Sequence, residues 1–249
     1  MNKHKYNEIS LPGVRSSTVG GGGSRSPLQE AHLANRSPAA MRTTYCVIFF
    51  SLLAAAASRV QTVDGRLKVQ IGGTAGCPHV ARYIRESVAP VYGKYGRFLD
   101  IEFVSWGKTR RVEGRLECQF GARDCWANRL HRCALDFLKS NQTATVSYLN
   151  CEFTEPRPGY TGSYHCALQA GLRLVDVDNC MATSKGDALE LPAEAAAAEP
   201  IATFNSIPYT VINGAVDRAV TVQSSRRLES VICFALADDP STGVVACKI

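Results

Sequence analysis

The chain has 249 residues, 45% of them hydrophobic and 20% charged, which is enough for one substantial domain or for one domain with an inserted subdomain. Its formal net charge is +6, but the first 58 residues hold six of the 28 basic and two of the 22 acidic side chains, so the remainder is nearly neutral. Because these charges form no dense basic stripe, the composition argues against a nucleic-acid partner. The pairs Arg110-Arg111 and Arg226-Arg227 are interpreted as solvated surface.

The first 58 residues predict a leader that precedes the folded domain at 59–249. Residues 1–40 are rich in Gly, Ser and Pro without hydrophobic periodicity, which predicts disorder. Residues 41–58 contain a basic start, an apolar stretch of about 13 residues and small residues at the end, the pattern of a cleaved signal peptide. A short signal anchor is the alternative, but a bilayer span needs roughly 20 apolar residues, so no stable span is expected in the mature form. A signal that begins at Met41 leads to the hypothesis that residues 1–40 are untranslated.

Export gives the cysteine count a definite meaning. Nine cysteines remain once Cys46 is removed with the signal peptide, and an exported chain this rich in cysteine is expected to form disulfides. An odd number leaves at least one thiol over, and the simplest division is four disulfides and a free Cys77. The eight cysteines assigned to disulfides, with pairing unknown, are Cys118, Cys125, Cys133, Cys151, Cys166, Cys180, Cys233 and Cys247. Asn141 begins an N-glycosylation triplet, which agrees with export to a secreted or lysosomal location.

Hydrophobic periodicity predicts a β–α–β unit at the start of this domain. Leu67–Ile71 alternates apolar and polar residues, as a half-buried strand does, and Gly72-Gly73 is expected to end the strand. A helix is predicted from Pro78 to about Ala89, ended by the proline that follows. Leu99–Val104 alternates again and predicts a second strand.

The rest of the chain predicts a helical insertion, at about 107–203, followed by a β–β–α unit. Within the insertion, helices are expected over Asp124–Lys139 and Ser163–Leu174. Ile207–Ile212 predicts a strand, and the Asn213-Gly214 turn predicts a hairpin whose partner strand begins at Ala215-Val216. Ser224 or Ser225 can cap a last helix. The buried face of that helix is expected to contain Leu228, Val231, Ile232 and Phe234.

Cys77 stands where the first strand passes into the first helix. A thioredoxin-like redox site would read Cys-x-x-Cys at this place, but the fourth position is Val80. The helix N-terminus, with Pro78 in its first turn, favours an anion, and His79 adds positive charge, so both favour a thiolate at Cys77. These features predict a reactive free thiol. The alternative is a buried, inert or disulfide-paired cysteine.

The segment Cys118–Cys133 carries the most specific pattern: Cys-Gln-x-Gly, an acid followed by Cys125, an Asn three residues later and Cys133 five beyond it. This pattern closely resembles the signature of the gamma-interferon-inducible lysosomal thiol reductase (GILT) family, and the resemblance extends to Ile249. The family usually has His where Phe120 stands and Glu where Asp124 stands. A zinc site is the alternative, but zinc ligand pairs usually lie two to four residues apart, closer than these cysteines.

The resemblance implies an α/β, thioredoxin-like fold with a helical, disulfide-rich insertion, and a thiol–disulfide oxidoreductase with Cys77 as nucleophile and His79 stabilising its thiolate. Pro78, Ile207 and Pro208 are expected to bind substrate, with Pro208 in the cis form that faces the attacking cysteine. The expected partners are disulfide-containing proteins and a small-molecule thiol reductant, without a cofactor or metal. Because Val80 cannot break a mixed disulfide, a non-catalytic secreted binding protein on the same scaffold is the alternative.

Overall fold

The computed structural model describes residues 60–247; the predicted leader at 1–58 lies outside these residues. The helices and strands follow one another as β1 (Leu67–Gly73), α1 (Pro78–Tyr83), a π-helical turn (Ile84–Val88), α2 (Ala89–Tyr95), a 3-10 turn (Gly96–Phe98), β2 (Leu99–Ser105), β3 (Arg110–Val112), β4 (Arg115–Glu117), α3 (Ala122–Leu138), α4 (Gln142–Glu152), α5 (His165–Gln169), α6 (Leu174–Ala182), α7 (Ser184–Ala188), α8 (Glu190–Phe204), β5 (Tyr209–Ile212), α9 (Arg218–Ala237) and a 3-10 turn (Pro240–Thr242).

The central sheet has the strand order β2-β1-β5. β1 runs parallel to β2, with Val69 opposite Ile101, and antiparallel to β5, with Ile71 opposite Thr210. Its inward residues are almost fully buried because α1, α9 and the insertion helices pack with the sheet into one apolar core. A β1–α1–β2 unit joined to β5–α9 is the core of a thioredoxin-like fold, so the predicted fold class is confirmed.

The insertion between β2 and β5 contains the small β3–β4 hairpin and six helices, α3 to α8. Its first long helix matches the prediction closely, but the helical stretch expected over Ser163–Leu174 is interrupted. It splits into α5 and the start of α6 because Gly171 adopts a left-handed backbone, with φ of 82°, between them. Among residues 60–247, no helix is long and apolar enough to cross a bilayer.

Four disulfides tie the insertion and the C-terminal tail to the fold. The pairs are Cys118–Cys125, Cys133–Cys180, Cys151–Cys166 and Cys233–Cys247. Three of them lie in the insertion, where they join α3 to α6 and α4 to α5 and close the loop that enters α3. The fourth ties α9 to the tail. Cys77 is the free cysteine of the described residues, which is the division that the odd count predicts.

Gly72 and Gly73 belong to the first strand, which ends at Gly73, two residues later than the predicted Leu67–Ile71. Both pair with β2, and Gly72 also pairs with Tyr209 in β5. A Cβ atom on Gly72 would lie 1.8 Å from the Tyr209 ring, and one on Gly73 would lie 2.7 Å from Val80. The two glycines are therefore required by close packing over the sheet, which a sequence pattern does not reveal.

Pro90 does not end the first helical region. The π-helical turn leads directly into α2, in whose first turn Pro90 lies. In that turn the Ala89 N–H reaches the Ile84 carbonyl, five residues back. A proline is tolerated in a first helical turn because its missing N–H is not needed there. The wider π-helical turn ends just before Pro90, so Pro90 falls in the first turn of α2.

The predicted C-terminal hairpin forms only its turn. Asn213 and Gly214 both have left-handed backbone, with φ of 51° and 78°, as a two-residue hairpin turn requires. The partner strand is reduced to one bridge between Ile212 and Ala215. Asp217 then caps α9 by accepting hydrogen bonds from the N–H groups of the helix's first turn, so a helix begins where a strand was expected.

The predicted start and buried face of the last helix were also partly wrong. Ser224 lies inside α9, which begins at Arg218 and is kinked at Arg227, where φ is −154° and ψ is 59°. Leu228, Val231 and Ile232 are buried, as predicted. Phe234 is 39% exposed because it lies off the face that residues at i, i+3 and i+4 form.

Candidate active site

Cys77 occupies the N-cap position of α1, directly after the loop that leaves β1. Its N–H donates to the Thr74 carbonyl at 3.3 Å, and its own carbonyl accepts from Ala81 N–H at 3.1 Å. The side chain makes no capping hydrogen bond, so the N–H groups of the first turn stay available to an anionic sulfur. Cys77 is only 4% exposed, and Pro78 begins the helix beside it.

Two side chains of α3 hold the loop that presents Cys77. Asp124 Oδ1 accepts hydrogen bonds from the Thr74 hydroxyl at 2.6 Å and from Gly76 N–H at 2.8 Å. Asn128 Oδ1 accepts from Ala75 N–H at 2.9 Å, and its Nδ2 donates to Thr74 Oγ1 at 2.6 Å. All of these groups are buried, so the bonds are sheltered from water. We call this arrangement the Asp124–Asn128 clamp.

The clamp gives a structural meaning to the cysteine-rich motif. Its acid and its amide are four residues apart and therefore lie on one face of α3. The Cys118–Cys125 disulfide and the left-handed Gly121 (φ 80°) shape the turn into that helix. Sequence reasoning used Asp124 and Asn128 only as marks of resemblance. Their spacing indicated a shared helix face, but nothing in the sequence pointed to Thr74.

Phe120 packs directly over the backbone next to Cys77. A Cβ atom on Gly76 would lie 2.7 Å from Phe120 Cβ, so Gly76 allows the two segments to approach closely. Phe120 N–H also donates to Asp124 Oδ2 at 3.3 Å, which joins this residue to the clamp.

Val80 fills a core position at the place where a second redox cysteine would stand. It is fully buried and packs against Gly73 of β1. It lies three residues after Cys77 in α1, nearly one helical turn away. The position therefore faces the sheet, shielded from solvent.

The Ile207-Pro208 peptide bond is cis, as the resemblance implies. Both residues are half-buried and line one open groove together with exposed His79. The groove is joined to the sheet by the hydroxyls of Tyr83 and Thr210, which are 2.8 Å apart. Burial raises the pKa of Tyr83 well above its ordinary value, so its hydroxyl stays neutral. The structure thus brings His79, Ile207 and Pro208 together beside the helix that Cys77 begins.

Comparison with known proteins identifies the scaffold. A family model described as "Gamma interferon inducible lysosomal thiol reductase (GILT)" matches residues 68–170, a stretch that contains Cys77 and the Asp124–Asn128 clamp. Over this stretch the chain is similar to the GILT family. It is 24% identical over 206 residues to GILT-like protein 1 of Drosophila melanogaster, covering 76% of this chain and 80% of the relative.

Two further matches are more limited. A gamma-interferon-inducible lysosomal thiol reductase-like protein of Anopheles gambiae is 29% identical over 87 residues, which is 30% of this chain and 36% of that protein. Among solved structures, an oxidized DsbA1 mutant aligns with 14% identity and a TM-score of 0.39, over 74% of this chain and 90% of that chain. The match to the GILT family model ends before the cis-proline, so the placement of Ile207 and Pro208 in the groove rests on the structure and not on that match.

Three further residues singled out in the sequence, Asn141, Cys118 and Cys125, were not predicted to act on the substrate. Asn141 is exposed at the N-cap of α4, where its Oδ1 accepts from Ala144 N–H at 3.0 Å. Cys118 and Cys125 are bonded to each other, and like the other six bonded cysteines they hold no thiolate to offer a metal.

Arg157 is a residue near the site that sequence reasoning missed. It lies in the insertion after α4, and its Nη1 donates to the Gly76 carbonyl at 3.2 Å, next to Cys77. Its guanidinium also stacks over the Tyr160 ring at 5.0 Å. Because Arg157 Nε also lies 3.1 Å from Glu155 Oε1, the insertion fixes an ion-paired guanidinium beside the loop that carries the free thiol.

A buried network of polar side chains contacts the loop that contains Arg157. His131 Nδ1 and Tyr148 Oη are 3.0 Å apart, and Glu152 Oε2 accepts from Gly159 N–H at 2.7 Å. Burial lowers the pKa of His131 to about 3, with a smaller contribution from Arg132. Burial raises the pKa of Glu152 to about 7, against the stabilising hydrogen bonds from Gly159 and Tyr148. The cluster therefore holds a neutral imidazole and a carboxyl group that titrates near neutral pH.

Proposed function

We propose that this chain is a thiol–disulfide oxidoreductase that acts on protein disulfides in the secretory or lysosomal pathway through the single nucleophile Cys77. The observation that carries the proposal is the free Cys77 at a helix N-cap, in a domain whose eight other described cysteines are in disulfides. Similarity to a thiol reductase family supports this kind of activity. Four disulfides are consistent with export.

In the first step, the Cys77 thiolate attacks one sulfur of a substrate disulfide. A new S–S bond joins Cys77 to that sulfur, the substrate S–S bond breaks, and the other substrate sulfur leaves as a thiolate that takes up a proton. The first-turn N–H groups and His79 stabilise the attacking thiolate. Ile207 and Pro208 dock the substrate backbone, with Pro78 at the start of the helix beside them.

The second step needs a thiol from outside the protein, because Val80 supplies none. A small-molecule thiolate attacks the Cys77 sulfur and releases the substrate thiol, and a second donor molecule then frees Cys77. Two donor thiols become one donor disulfide, which balances the reduction of the substrate disulfide. Where a second substrate thiol attacks instead, the result is isomerisation.

The second candidate is a non-catalytic secreted protein that binds its partner without turning it over. Val80 favours it, since a mixed disulfide cannot be broken from within. The two glycines before the site do not favour it, because packing against Tyr209 and Val80 accounts for both.

The deciding experiment is the reduction of a disulfide-bonded protein with a small-thiol donor, at about pH 5 and about pH 7. We expect activity in the wild type, its loss in Cys77→Ser, and faster turnover in Val80→Cys, whose new thiol would stand one helical turn from Cys77. Cys77→Ser is accepted as a control only if mass spectrometry finds its four disulfides intact. Activity that survives Cys77→Ser would exclude Cys77 as the nucleophile. An inactive wild type with no gain in Val80→Cys would favour the binding protein.

A further inference from the structure

The open groove beside Cys77 is lined by cationic side chains. The groove begins at His79, two residues after Cys77, and its volume is about 540 Å³. Arg82, which belongs to α1, and Arg226, which belongs to α9, both line this groove. Pro208 lines the same groove.

The two arginines are uncompensated within the structure. Both are exposed, and among residues 60–247 neither takes part in an ion pair or hydrogen bond. Glu86 is the one carboxylate that lines the groove, and it is engaged by Arg85 at 3.6 Å. His79 adds a further positive charge when its imidazole is protonated. The groove therefore presents net positive charge in a chain whose domain is almost neutral.

Arg226 consequently differs from Arg227, although the sequence interpretation placed both on solvated surface. Arg226 lines the groove, whereas Arg227 is the kink residue of α9 and is exposed outside it. The adjacent pair thus separates into one groove residue and one surface residue, which makes Arg227 a matched control for Arg226.

We propose that this groove selects disulfide substrates in which an extended segment next to the reacting cysteine carries acidic side chains, with Arg82 and Arg226 as the specificity-determining residues. The inference rests on the proposed function for the identity of the occupant. Ile207 and Pro208 are only half-buried, so an extended substrate segment can lie against this loop. Pro208 has no N–H of its own to pair with a neighbouring strand. A guanidinium matches a carboxylate with two parallel hydrogen bonds, which favours Asp or Glu over other acceptors.

The kinetic test uses two disulfide-linked peptides that differ only in the residues beside the reacting cysteine, Glu in one and Lys in the other. The measured quantity is the rate of mixed-disulfide formation with Cys77, followed by mass spectrometry. We expect the Glu peptide to react about tenfold faster at low salt, and the difference to shrink at high salt because exposed charges are screened. Arg82→Gln combined with Arg226→Gln should abolish the preference, and Arg227→Gln should keep it. Equal rates for the two peptides in the wild type, or a preference that survives the double substitution, would overturn the proposal.

A binding measurement separates this inference from the proposed function. Fluorescence anisotropy of the labelled Glu peptide with Cys77→Ser protein reports binding without chemistry, and adding the two arginine substitutions should weaken it severalfold. Arginine-dependent binding without any reaction in the wild type would retain the groove and refute the nucleophile. Reaction at Cys77 without charge preference would retain Cys77 as the nucleophile and refute the selective groove. Absence of both reaction and arginine-dependent binding would refute the proposed function and the groove together. Because both arginines are exposed and unpaired, the variants should keep the wild-type melting temperature, which checks their folding.

Discussion

The thioredoxin-like part of the molecule and its helical insertion divide the work of the site between them. The core part supplies the buried Cys77, the half-buried cis-Pro208 loop and the open cationic groove. The insertion supplies buried groups that hold those parts in place: Asp124 and Asn128 on the Cys77 loop, and Arg157 on the Gly76 carbonyl. Three of the four disulfides also lie in the insertion.

This division explains why the insertion contains three of the four disulfides. A positioning residue acts only if its own backbone is fixed, and the Cys133–Cys180 bond closes a separation of 47 residues around the helix that carries the clamp. In the chain-entropy view, a loop of that length corresponds to roughly 4 kcal/mol of stabilisation, more than the shorter loops provide. Substitutions in the insertion should therefore change the reactivity of a thiol that they do not touch.

The largest effect is expected from breaking the clamp. Asp124→Ala leaves the Thr74 hydroxyl and Gly76 N–H buried without their acceptor, and each such group costs about 1–3 kcal/mol. We expect the free energy of unfolding to fall by about 4 kcal/mol and alkylation of Cys77 by iodoacetamide to change at least severalfold. Asp124→Glu, the residue usual in the family, should restore most of the alkylation rate if positioning is the role.

The control for the clamp is Asp176→Asn, which changes a half-buried carboxylate of α6 whose partner is Arg173 at 3.6 Å. It should leave both stability and alkylation near the wild-type values. If Asp124→Ala loses stability but keeps the wild-type alkylation rate at Cys77, the clamp is structural only and does not position the thiol.

A smaller, pH-dependent effect is expected from the buried polar network that contacts the loop containing Arg157. The pKa of Glu152 lies at about 7, above its ordinary value of 4.5, so its contribution to stability is full below about pH 4.5 and is lost as the pH rises towards 7. The pKa of His131 lies at about 3, below its ordinary 6.5, so its contribution is present above about pH 6.5 and is lost as the pH falls towards 3. Between about pH 4.5 and 6.5 the two dependences oppose each other.

Glu152→Gln should therefore expose the opposing dependence of His131. Relative to wild type, we expect the variant to lose about 2 kcal/mol of unfolding free energy as the pH falls from about 6.5 to about 5, measured by urea unfolding. Glu117→Gln, in the exposed β3–β4 hairpin, is the control and should follow the wild type. A Glu152→Gln curve parallel to that of the wild type would show that Glu152 does not hold a proton in this pH range.

The sequence predicts the fold class and the free cysteine better than the contacts that hold the Cys77 loop in place. Hydrophobic periodicity locates β1 and β2, and the Asn-Gly pair locates the turn at Asn213-Gly214. Strand and turn preferences of this kind depend on residues that are neighbours in the sequence. The count of cysteines singles out Cys77, although it leaves the pairing of the others open. Local patterns therefore reach the fold class and the free thiol.

Some failures have local causes, such as the left-handed Gly171 and the Asp217 cap, but others involve contacts between distant residues. The glycines at 72 and 73 look like residues that follow the strand until the Tyr209 ring is placed against the first and Val80 against the second. Asp124 looks like a solvated acid on a helix until Thr74, 50 residues earlier, is found against it. His131 has a polar side chain on a helix, yet it is buried in an aromatic cluster with Phe103 and Phe153. Such contacts are set by tertiary packing, which overrides local preference.

The smallest effect is expected from Arg157, which touches the Cys77 loop through one hydrogen bond to the Gly76 carbonyl. Arg157→Gln removes the positive charge, whereas Arg157→Lys keeps it without the planar guanidinium. One exposed or half-exposed hydrogen bond contributes about 1 kcal/mol, so both variants should lose a similar, small amount of stability. If the charge of Arg157 also favours the thiolate, the pH profile of Cys77 alkylation should move to higher pH in Arg157→Gln and stay in place in Arg157→Lys. Identical profiles for both variants would confine Arg157 to holding the loop, and would leave the helix N-terminus and His79 as the groups that favour the thiolate.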